Sequence, residues 1–215
     1  MTKIDLYNKD NMLLMKDYPD KYFDLAIVDP PYRDLKDNQP TKDMRNNGSM
    51  KDFGNKPNKS YFEELFRVSK NQIIWGANNF NDLLPNNCGF VIYKKKTISD
   101  TFTMSMCEYA WINNELSTIS KLFEYAPQDK YRIHPTQKPT ALYRWLLEKY
   151  AKQGDKILDT HLGSMSIVQA CIELGFDLTG CELDQHYFLE GKNRIDKFVS
   201  QLNLFQEQPE INYYF

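Results

Sequence analysis

The second half of the chain alternates short strand-like runs with helix-like runs, and this alternation constrains the fold more than any other feature. Lys156–Asp159 is predicted as a strand, and Ser164–Leu174 repeats apolar residues at the spacing of one helical face before Gly175. Asp177–Cys181 is predicted as the next strand, and Asp184–Phe205 as a long, mostly polar helix. This order favours an α/β protein with a parallel sheet and helices on both faces.

The first half begins a similar unit, and its second strand ends at an unusual turn. Lys3–Tyr7 is predicted as a strand, Met12–Tyr18 as a helix and Leu25–Val28 as a fully apolar, buried strand. The buried strand runs into Asp29-Pro30-Pro31-Tyr32, where two prolines cannot donate hydrogen bonds to a sheet. The turn therefore lies at the carboxyl end of a buried parallel strand, where open α/β sheets bind their ligands.

The residue types of this turn suit the binding of a planar amino group. The carboxylate of Asp29 and a backbone carbonyl held rigid by the proline ring can each accept one hydrogen from an exocyclic NH2 group. The ring of Tyr32 can stack on the base that carries the amine. Accepting both hydrogens draws the nitrogen toward tetrahedral geometry, so its lone pair becomes available for attack.

A second candidate site follows the strand that ends at Asp159. The segment Asp159-Thr160-His161-Leu162-Gly163-Ser164 contains a glycine turn that lets a ligand approach the backbone. Glu182 lies 19 residues after Gly163, at the end of the next strand, from which a carboxylate can bind both hydroxyls of a ribose. A pyrophosphate-binding turn requires more glycines, and Met165 stands where another is expected. The pattern predicts a nucleoside cofactor without a pyrophosphate, with a plain helix-capping loop as the alternative.

Composition excludes several classes of protein. The 215 residues, 41% of them hydrophobic and 26% charged, predict one domain over residues 1–215. No apolar run approaches the roughly 20 residues of a membrane span, and the charged first residues are unlike a signal peptide, so we predict a cytoplasmic protein. The four cysteines have no metal-ligand spacing and are predicted as reduced core thiols, so no metal site is expected.

The net charge of -2 gives no support for nucleic-acid binding, so any such support has to come from local basic clusters. Residues 33–60 have almost no periodic apolar content, which predicts a long exposed loop, and they include seven basic and four acidic residues. Three lysines at a strand end form a second cluster, for which a solvated strand end is an equally good interpretation. The candidate phosphate contacts in the two clusters are Arg33, Lys36, Lys42, Arg45, Lys94, Lys95 and Lys96.

Taken together, these segments resemble the β class of DNA amino-methyltransferases, which use S-adenosylmethionine. Asp29-Pro30-Pro31-Tyr32 resembles the catalytic DPPY of that family, and the catalytic motif precedes the cofactor motif, as in that class. Further segments that resemble the family are IIWGANNF around Trp75-Gly76, CEYAW at Cys107–Trp111 and HPTQKP at His134–Pro139. The resemblance implies a Rossmann-like methyltransferase fold with a mostly parallel, seven-stranded central sheet and a circularly permuted motif order.

The resemblance also implies an activity, a cofactor and a DNA partner. DPPY is commoner among adenine-N6 enzymes, so the implied reaction is transfer of a methyl group from S-adenosylmethionine to the N6 amine of a flipped adenine in double-stranded DNA. The implied catalytic residues are Asp29, Pro30 and Tyr32, which hold the flipped base, and Pro31, which shapes the turn. Glu182 takes the cofactor ribose, Asp10 its adenine, and Lys138 lies near its carboxylate. The implied cofactor-binding residues are Asp10, Asp29, Lys138, Asp159, Thr160, Leu162, Gly163, Ser164 and Glu182.

Several alternatives stay open on the sequence. The segment 112–133, a short insertion before HPTQKP, leaves little chain for a recognition region, so DNA reading depends on it, on the 33–60 loop or on a partner such as a second copy in a homodimer. Other substrates are cytosine N4, RNA or a protein side-chain amide. Because Met165 departs from the usual glycine pattern, a catalytically weak or silent DNA-binding or regulatory subunit is also open. A nicotinamide-dependent oxidoreductase would leave the DPPY segment unexplained.

Overall fold

The computed structural model describes residues 1–32, 56–99, 101, 103, 105–126, 132–134, 136–202 and 208–215. The strands are β1 Lys3–Tyr7, β2 Phe23–Val28, β3 Ser69–Trp75, β4 Phe90–Lys95, β5 Cys107–Ile112, β6 Lys121–Tyr125, β7 Lys156–Asp159, β8 Asp177–Cys181 and β9 Glu210–Tyr214. The helices are α1 Asn11–Lys16, α2 Lys59–Val68, α3 Thr140–Tyr150, α4 Ser166–Leu174 and α5 Gln185–Val199, with a 3-10 turn over Ala77–Asn79.

The strands form one sheet in the order β6-β4-β5-β3-β2-β7-β8-β1-β9. Strand β5 is antiparallel to its neighbours β3 and β4, and every other neighbouring pair is parallel. The predicted α/β class with a mostly parallel sheet is confirmed. Since the parallel strands share one direction, their carboxyl ends meet at one edge of the sheet, and β5 begins at that same edge.

The side chains of β2 alternate between two hydrophobic cores, one on each face of the sheet. Leu25 and Ile27 lie in the core that contains residues of α3, α4 and α5. Ala26 and Val28 lie in the other core, with residues of α1 and α2. Because helices cover both faces, every one of these positions is apolar, as is typical of a buried parallel strand. The prediction of helices on both faces is confirmed.

The seven-stranded sheet implied by the family resemblance is wrong, because the described residues form nine strands. Strand β9, which no pattern in the sequence predicts, adds to β1 at the outer edge of the sheet. An edge strand is paired on one side only, so its sequence needs no long apolar run, and Glu210–Tyr214 carries none. Its assignment therefore depends on its pairing with β1.

The limits of two other segments also differ from the prediction. The last helix ends at Val199 rather than Phe205, where the backbone N–H of Ser200 closes the final turn on Asp196 and Phe198. The predicted loop 33–60 ends earlier than expected, because the Asn58 side chain caps α2 at its first turn. Residues 33–55 of that loop lie outside the described residues.

The remaining predictions on the whole chain have mixed outcomes. Cys171 and Cys181 are buried as expected, but Cys88 is exposed and Cys107 is half-buried, so they are not core thiols. Cys88 follows a polar turn and Cys107 begins the antiparallel strand at the rim of the sheet. None of the helices in the described part of the chain combines the length and hydropathy that a membrane span requires.

Candidate active site

The turns after β2, β7 and β8 lie side by side at one edge of the sheet. Strand β7 pairs in parallel with β2 on one side and β8 on the other. Asp29 follows β2, Asp159 ends β7 and Glu182 follows β8. Adjacent strands are about 4.8 Å apart, so the two outer turns are separated by roughly 10 Å. The topology thus brings the two sequence-predicted sites together, although they are far apart in the chain.

Both carboxylate oxygens of Asp29 have partners. Oδ1 accepts a hydrogen bond from the Tyr32 hydroxyl at 2.5 Å, and Oδ2 is ion-paired with the ammonium group of Lys138. Pro30 is buried, whereas Pro31 and Tyr32 are half-buried. Burial and the negative charge of Asp29 raise the pKa of Tyr32, so its hydroxyl stays protonated and donates. The turn is therefore held by its own side chains.

The ring of Tyr32 packs directly on Gly76, just after β3. Gly76 has a left-handed φ of 75°, and a Cβ atom there would lie 2.0 Å from Cε1 of Tyr32. Only glycine satisfies both conditions without strain or displacement of the ring. Phe80 contacts the ring edge-on at a centroid distance of 6.3 Å. The IIWGANNF segment therefore fixes the position of the Tyr32 ring, a role that was not predicted from the sequence.

Lys138 lies at the centre of a buried ion cluster. Its Nζ atom pairs with Asp29 and, at 3.1 Å, with Glu108, and it lies 5.1 Å from the centroid of the Trp75 ring. Its side chain is 3% exposed. Burial opposes the charge, but the two carboxylates outweigh burial and raise the pKa of Lys138 well above its usual value. The structure thus gives this ammonium two protein carboxylates as partners, while its proximity to a cofactor carboxylate stays a prediction.

Glu108, the second carboxylate of this cluster, is a site residue that no sequence pattern predicted. Glu108 also pairs with Lys95 at 2.5 Å. Burial opposes its ionisation, but Lys138 and Lys95 outweigh burial and lower the pKa of Glu108 to about 2. The CEYAW segment was the one available signal. Its position depends on antiparallel β5 lying between β3 and β4, which no local pattern predicts.

Glu182 is fixed by backbone hydrogen bonds rather than by ion pairs. Its Oε2 atom accepts a hydrogen bond from the Gly163 N–H at 2.8 Å, and Oε1 accepts one from the Asp184 N–H at 2.9 Å. Burial raises the pKa of Glu182, although these backbone bonds oppose it. Each carboxylate oxygen has a second lone-pair position, so the group can also accept hydrogen bonds from two hydroxyls.

Asp159 is buried between the Asp29 turn and Glu182. Its Oδ1 atom accepts a hydrogen bond from the backbone N–H of His161 at 2.9 Å. Burial, together with the negative charges of Asp29 and Glu182, outweighs that bond and raises the pKa of Asp159 to about 8. The carboxyl group is therefore mostly protonated at neutral pH, and a cation bound beside it would favour ionisation.

Close packing shapes the turn between β7 and α4. Gly163 has a φ of 48°, and a Cβ atom there would lie 3.6 Å from the ring of His134. Leu162 fits against Gly180, where a Cβ atom would approach its Cδ2 atom to 2.5 Å. The Ser164 hydroxyl is bonded within the turn, and the Thr160 hydroxyl lies 2.7 Å from that of Tyr61. These contacts hold the predicted cofactor residues in one backbone arrangement.

Comparison with known proteins gives the family. The sequence profile described as DNA methylase, N6_N4_Mtase, matches residues 59–193. The chain belongs to this DNA methylase family. The matched residues include the predicted cofactor segment but not the DPPY turn, and the assignment leaves the acceptor base open because the family spans N4 and N6 enzymes.

Curated relatives of this methylase are similar over different lengths. The DNA adenine methyltransferase YhdJ of Escherichia coli (strain K12) is 35% identical over 68 residues, which cover 32% of this chain and 23% of YhdJ. The type II methyltransferase M.HpaI of Haemophilus parainfluenzae is 24% identical over 240 residues, which cover 91% of this chain and 74% of M.HpaI. The match thus spans less than a quarter of YhdJ but most of M.HpaI.

Solved structures share the fold of this methylase. A complex of M1.HpyAVI with SAM has a TM-score of 0.59 at 18% identity and covers 90% of this chain and 99% of that one. The PvuII DNA methyltransferase, which is cytosine-N4-specific, has a TM-score of 0.65 at 10% identity, with coverages of 97% and 90%. The methyltransferase fold is confirmed, whereas the circular permutation of the motifs stays a prediction.

Met165 does not cross the turn that is predicted to bind the cofactor. It has a left-handed φ of 57° and is fully buried in the core. A Cβ atom on Gly191 of α5 would lie 2.8 Å from its sulfur, so the side chain points toward that helix. The departure of Met165 from the glycine pattern therefore gives no support to a silent subunit.

The remaining predicted residues have the following positions in the methylase. Asp10 is the N-cap of α1, and its Oδ1 atom accepts hydrogen bonds from the first-turn N–H groups of that helix. Lys94 pairs with Glu124 at 2.9 Å, Lys95 pairs with Glu108, and Lys96 is exposed. The other four candidate DNA contacts, Arg33, Lys36, Lys42 and Arg45, lie outside the described residues.

Proposed function

We propose that this chain transfers the methyl group of S-adenosylmethionine to the exocyclic N6 amine of an adenine flipped out of double-stranded DNA. The observation that carries the proposal is the adjacency of the Asp29 turn to the Asp159 and Glu182 region across neighbouring parallel strands. A base amine bound at one turn and a nucleoside bound at the other would meet at the same edge of the sheet.

The geometry of the turns after β7 and β8 fits S-adenosylmethionine, which supplies an electrophilic methyl group when bound. Glu182 is held rigidly by two backbone N–H groups and keeps free lone pairs for ribose hydroxyls. Asp159 provides a buried carboxyl group that a sulfonium charge would ionise. Gly163 is half-buried and has no side chain that would cover its own backbone. The roles of Asp10, Thr160, Leu162 and Ser164 as further cofactor contacts are part of this proposal.

At the first turn, Asp29 accepts one N–H of the target amine, and the neighbouring backbone carbonyl accepts the other. Both acceptors draw the nitrogen lone pair out of conjugation with the base. The Tyr32 ring, which packs against Gly76, stacks on the base. Alignment of two reactants supplies roughly 7 to 11 kcal/mol of barrier reduction, so neither a strong base nor a covalent intermediate is needed.

DNA binding has to supply the energy for base extrusion. Flipping requires a few kcal/mol, and stacking on one aromatic ring returns roughly 1 to 3 kcal/mol. Contacts with backbone phosphates therefore have to stabilise the flipped state, and we assign them to the basic loop 33–60 and to Lys94, Lys95 and Lys96. Their affinity should fall steeply with salt concentration.

The choice of adenine rests on Asp29 as the first residue of the DPPY turn and on the similarity to YhdJ, a DNA adenine methyltransferase. The experiment incubates the purified protein with tritium-labelled S-adenosylmethionine and unmethylated duplex DNA, and then identifies the methylated nucleoside by mass spectrometry. We expect N6-methyladenine. Long-read modification mapping of DNA from cells that express the protein would give the recognition sequence.

Other outcomes of this experiment separate the competing functions. N4-methylcytosine would correct the acceptor base and leave the mechanism intact. Label transferred to RNA or to a protein, but not to DNA, would overturn the DNA substrate. Calorimetry with millimolar S-adenosylmethionine tests the silent subunit, because absence of binding would contradict the cofactor assignment.

A further inference from the structure

Four charged side chains alternate in sign between the rim of the sheet and the proposed catalytic turn. Lys95 pairs with Glu108 at 2.5 Å, Glu108 with Lys138 at 3.1 Å, and Lys138 with Asp29. Exposure falls from 24% for the side chains of Lys95 and Glu108 to 3% for Lys138. The two positive and two negative charges balance, so the cluster can be buried without a net charge.

The cluster creates a conflict for the proposed reaction. The Oδ2 atom of Asp29 is occupied by Lys138, and the Oδ1 atom accepts a hydrogen bond from Tyr32. A target amine that donates to Asp29 has to use the second lone-pair position of one oxygen, beside its present partner, or replace that partner. A buried ammonium withdraws from a carboxylate only if another anionic group is ready to receive it, because an unpaired buried charge is strongly unfavourable.

Glu108 meets this requirement. It lies within ion-pair distance of Lys138 before any movement, and Lys95 and Lys138 lower its pKa to about 2, so it is a carboxylate at every physiological pH. It belongs to the antiparallel strand β5, whereas Asp29 follows β2, so the ammonium is held between two separate strands. A shift of Lys138 toward Glu108 would expose one acceptor position on Asp29.

We propose that Glu108 is a positioning residue for methyl transfer, which receives the ammonium of Lys138 when the target amine binds to Asp29. The proposal rests on the proposed function and extends it. Only hydrogen-bond and ion-pair partners change in this step, and no covalent bond is broken. Without the charge of Glu108, Lys138 would pair with Asp29 alone and compete with the amine.

The test compares Glu108→Gln with Glu124→Gln in the full chain. Glu124 is a matched control because it also pairs with a lysine of β4, Lys94 at 2.9 Å, but at an exposed position away from Asp29. We expect Glu108→Gln to lower kcat at least tenfold and to leave KM for S-adenosylmethionine within twofold of the wild type. Glu124→Gln should keep kcat within twofold.

A second variant, Glu108→Asp, distinguishes a loss of charge at this position from a loss of folding in Glu108→Gln. Glu108→Asp keeps the charge but moves it away by one methylene group, so its kcat should lie between those of the wild type and Glu108→Gln. A purely structural role would instead make kcat follow the melting temperatures of the two variants. Equal kcat in all three proteins would overturn the role of Glu108 alone, whereas a wild type that methylates no DNA would overturn the proposed function and this inference with it.

Discussion

The turn after β2 and the two turns after β7 and β8 lie at the same edge of the sheet but are held by different forces. Asp29 is fixed by charged and polar side chains, mainly Lys138 and Tyr32. Gly163 and Glu182 are fixed by backbone hydrogen bonds and close packing. A single side-chain change in the turn after β2 should therefore remove methyl transfer, whereas changes in the turns after β7 and β8 should lower the affinity for the cofactor.

Asp29→Ala should have the largest effect. The variant should lose methyl transfer by roughly 1,000-fold or more, because the acceptor that activates the amine is gone. Affinity for S-adenosylmethionine should change only a few-fold. Tritium transfer and calorimetry measure the two quantities on one preparation, with Asp29→Asn as the isosteric control. Methylation retained in Asp29→Ala would remove this carboxylate from the mechanism.

Gly76→Ala should have the next largest effect. The added Cβ atom would lie 2.0 Å from Cε1 of Tyr32, so the ring has to move away from this position. We expect kcat to fall about 100-fold. The left-handed backbone adds roughly 1 kcal/mol of strain. Gly154→Ala is the matched control, because it has a φ of 91° but nothing within 4 Å of the new atom. If both variants lose stability and activity equally, the contact between Gly76 and the Tyr32 ring does not contribute to kcat.

Glu182→Gln tests the turn after β8 and should weaken S-adenosylmethionine binding roughly 10- to 100-fold. The amide loses the charge that accepts ribose hydroxyls and also turns an NH2 group toward one of the two backbone N–H donors. At saturating cofactor, kcat should recover most of the wild-type value. A loss of kcat with an unchanged dissociation constant would show that the two turns are not separable in this way.

The smallest effect concerns pH. The pKa of Asp159 is about 8, so below this pH the free protein holds a proton that a bound cation would expel. A bound cation that lowers this pKa by about one unit should raise the affinity for S-adenosylmethionine about fivefold between pH 6 and pH 8, and the affinity should level off above about pH 9. Calorimetry in buffers of different ionisation enthalpy should detect the released proton. Asp159→Asn should flatten this dependence, and an unchanged slope in that variant would assign it to another group.

Much of the fold was predictable because parallel strands buried on both faces are short apolar runs between helices. Leu25–Val28 is an example, and it is followed by two prolines that cannot continue a strand, whereas Lys156–Asp159 has an apolar centre and ends before a glycine turn. Strand β9 was not predictable, since edge pairing with β1 imposes no apolar pattern on it. The early end of α5 was missed because polar residues continue past the closing turn at Ser200.

The candidate site was predictable only in its parts. Asp29 and Glu182 were found from motif position, because strand ends in an open α/β sheet share one edge. The contact between Lys138 and Glu108 was not, since the two residues belong to segments with no sequence relation. The orientation of Met165 was also hidden, because a left-handed backbone turns its side chain into the core.

By itself, the sequence determined the α/β class, the DPPY turn at a strand end and the glycine turn with its distant glutamate, since each depends on residues close together in the chain or on strand direction. The tertiary structure alone decided that Lys138 joins Asp29 to Glu108 and that Gly76 seats Tyr32. Such contacts depend on the order of strands in the sheet, which is set by the packing of the whole domain and not by any local pattern.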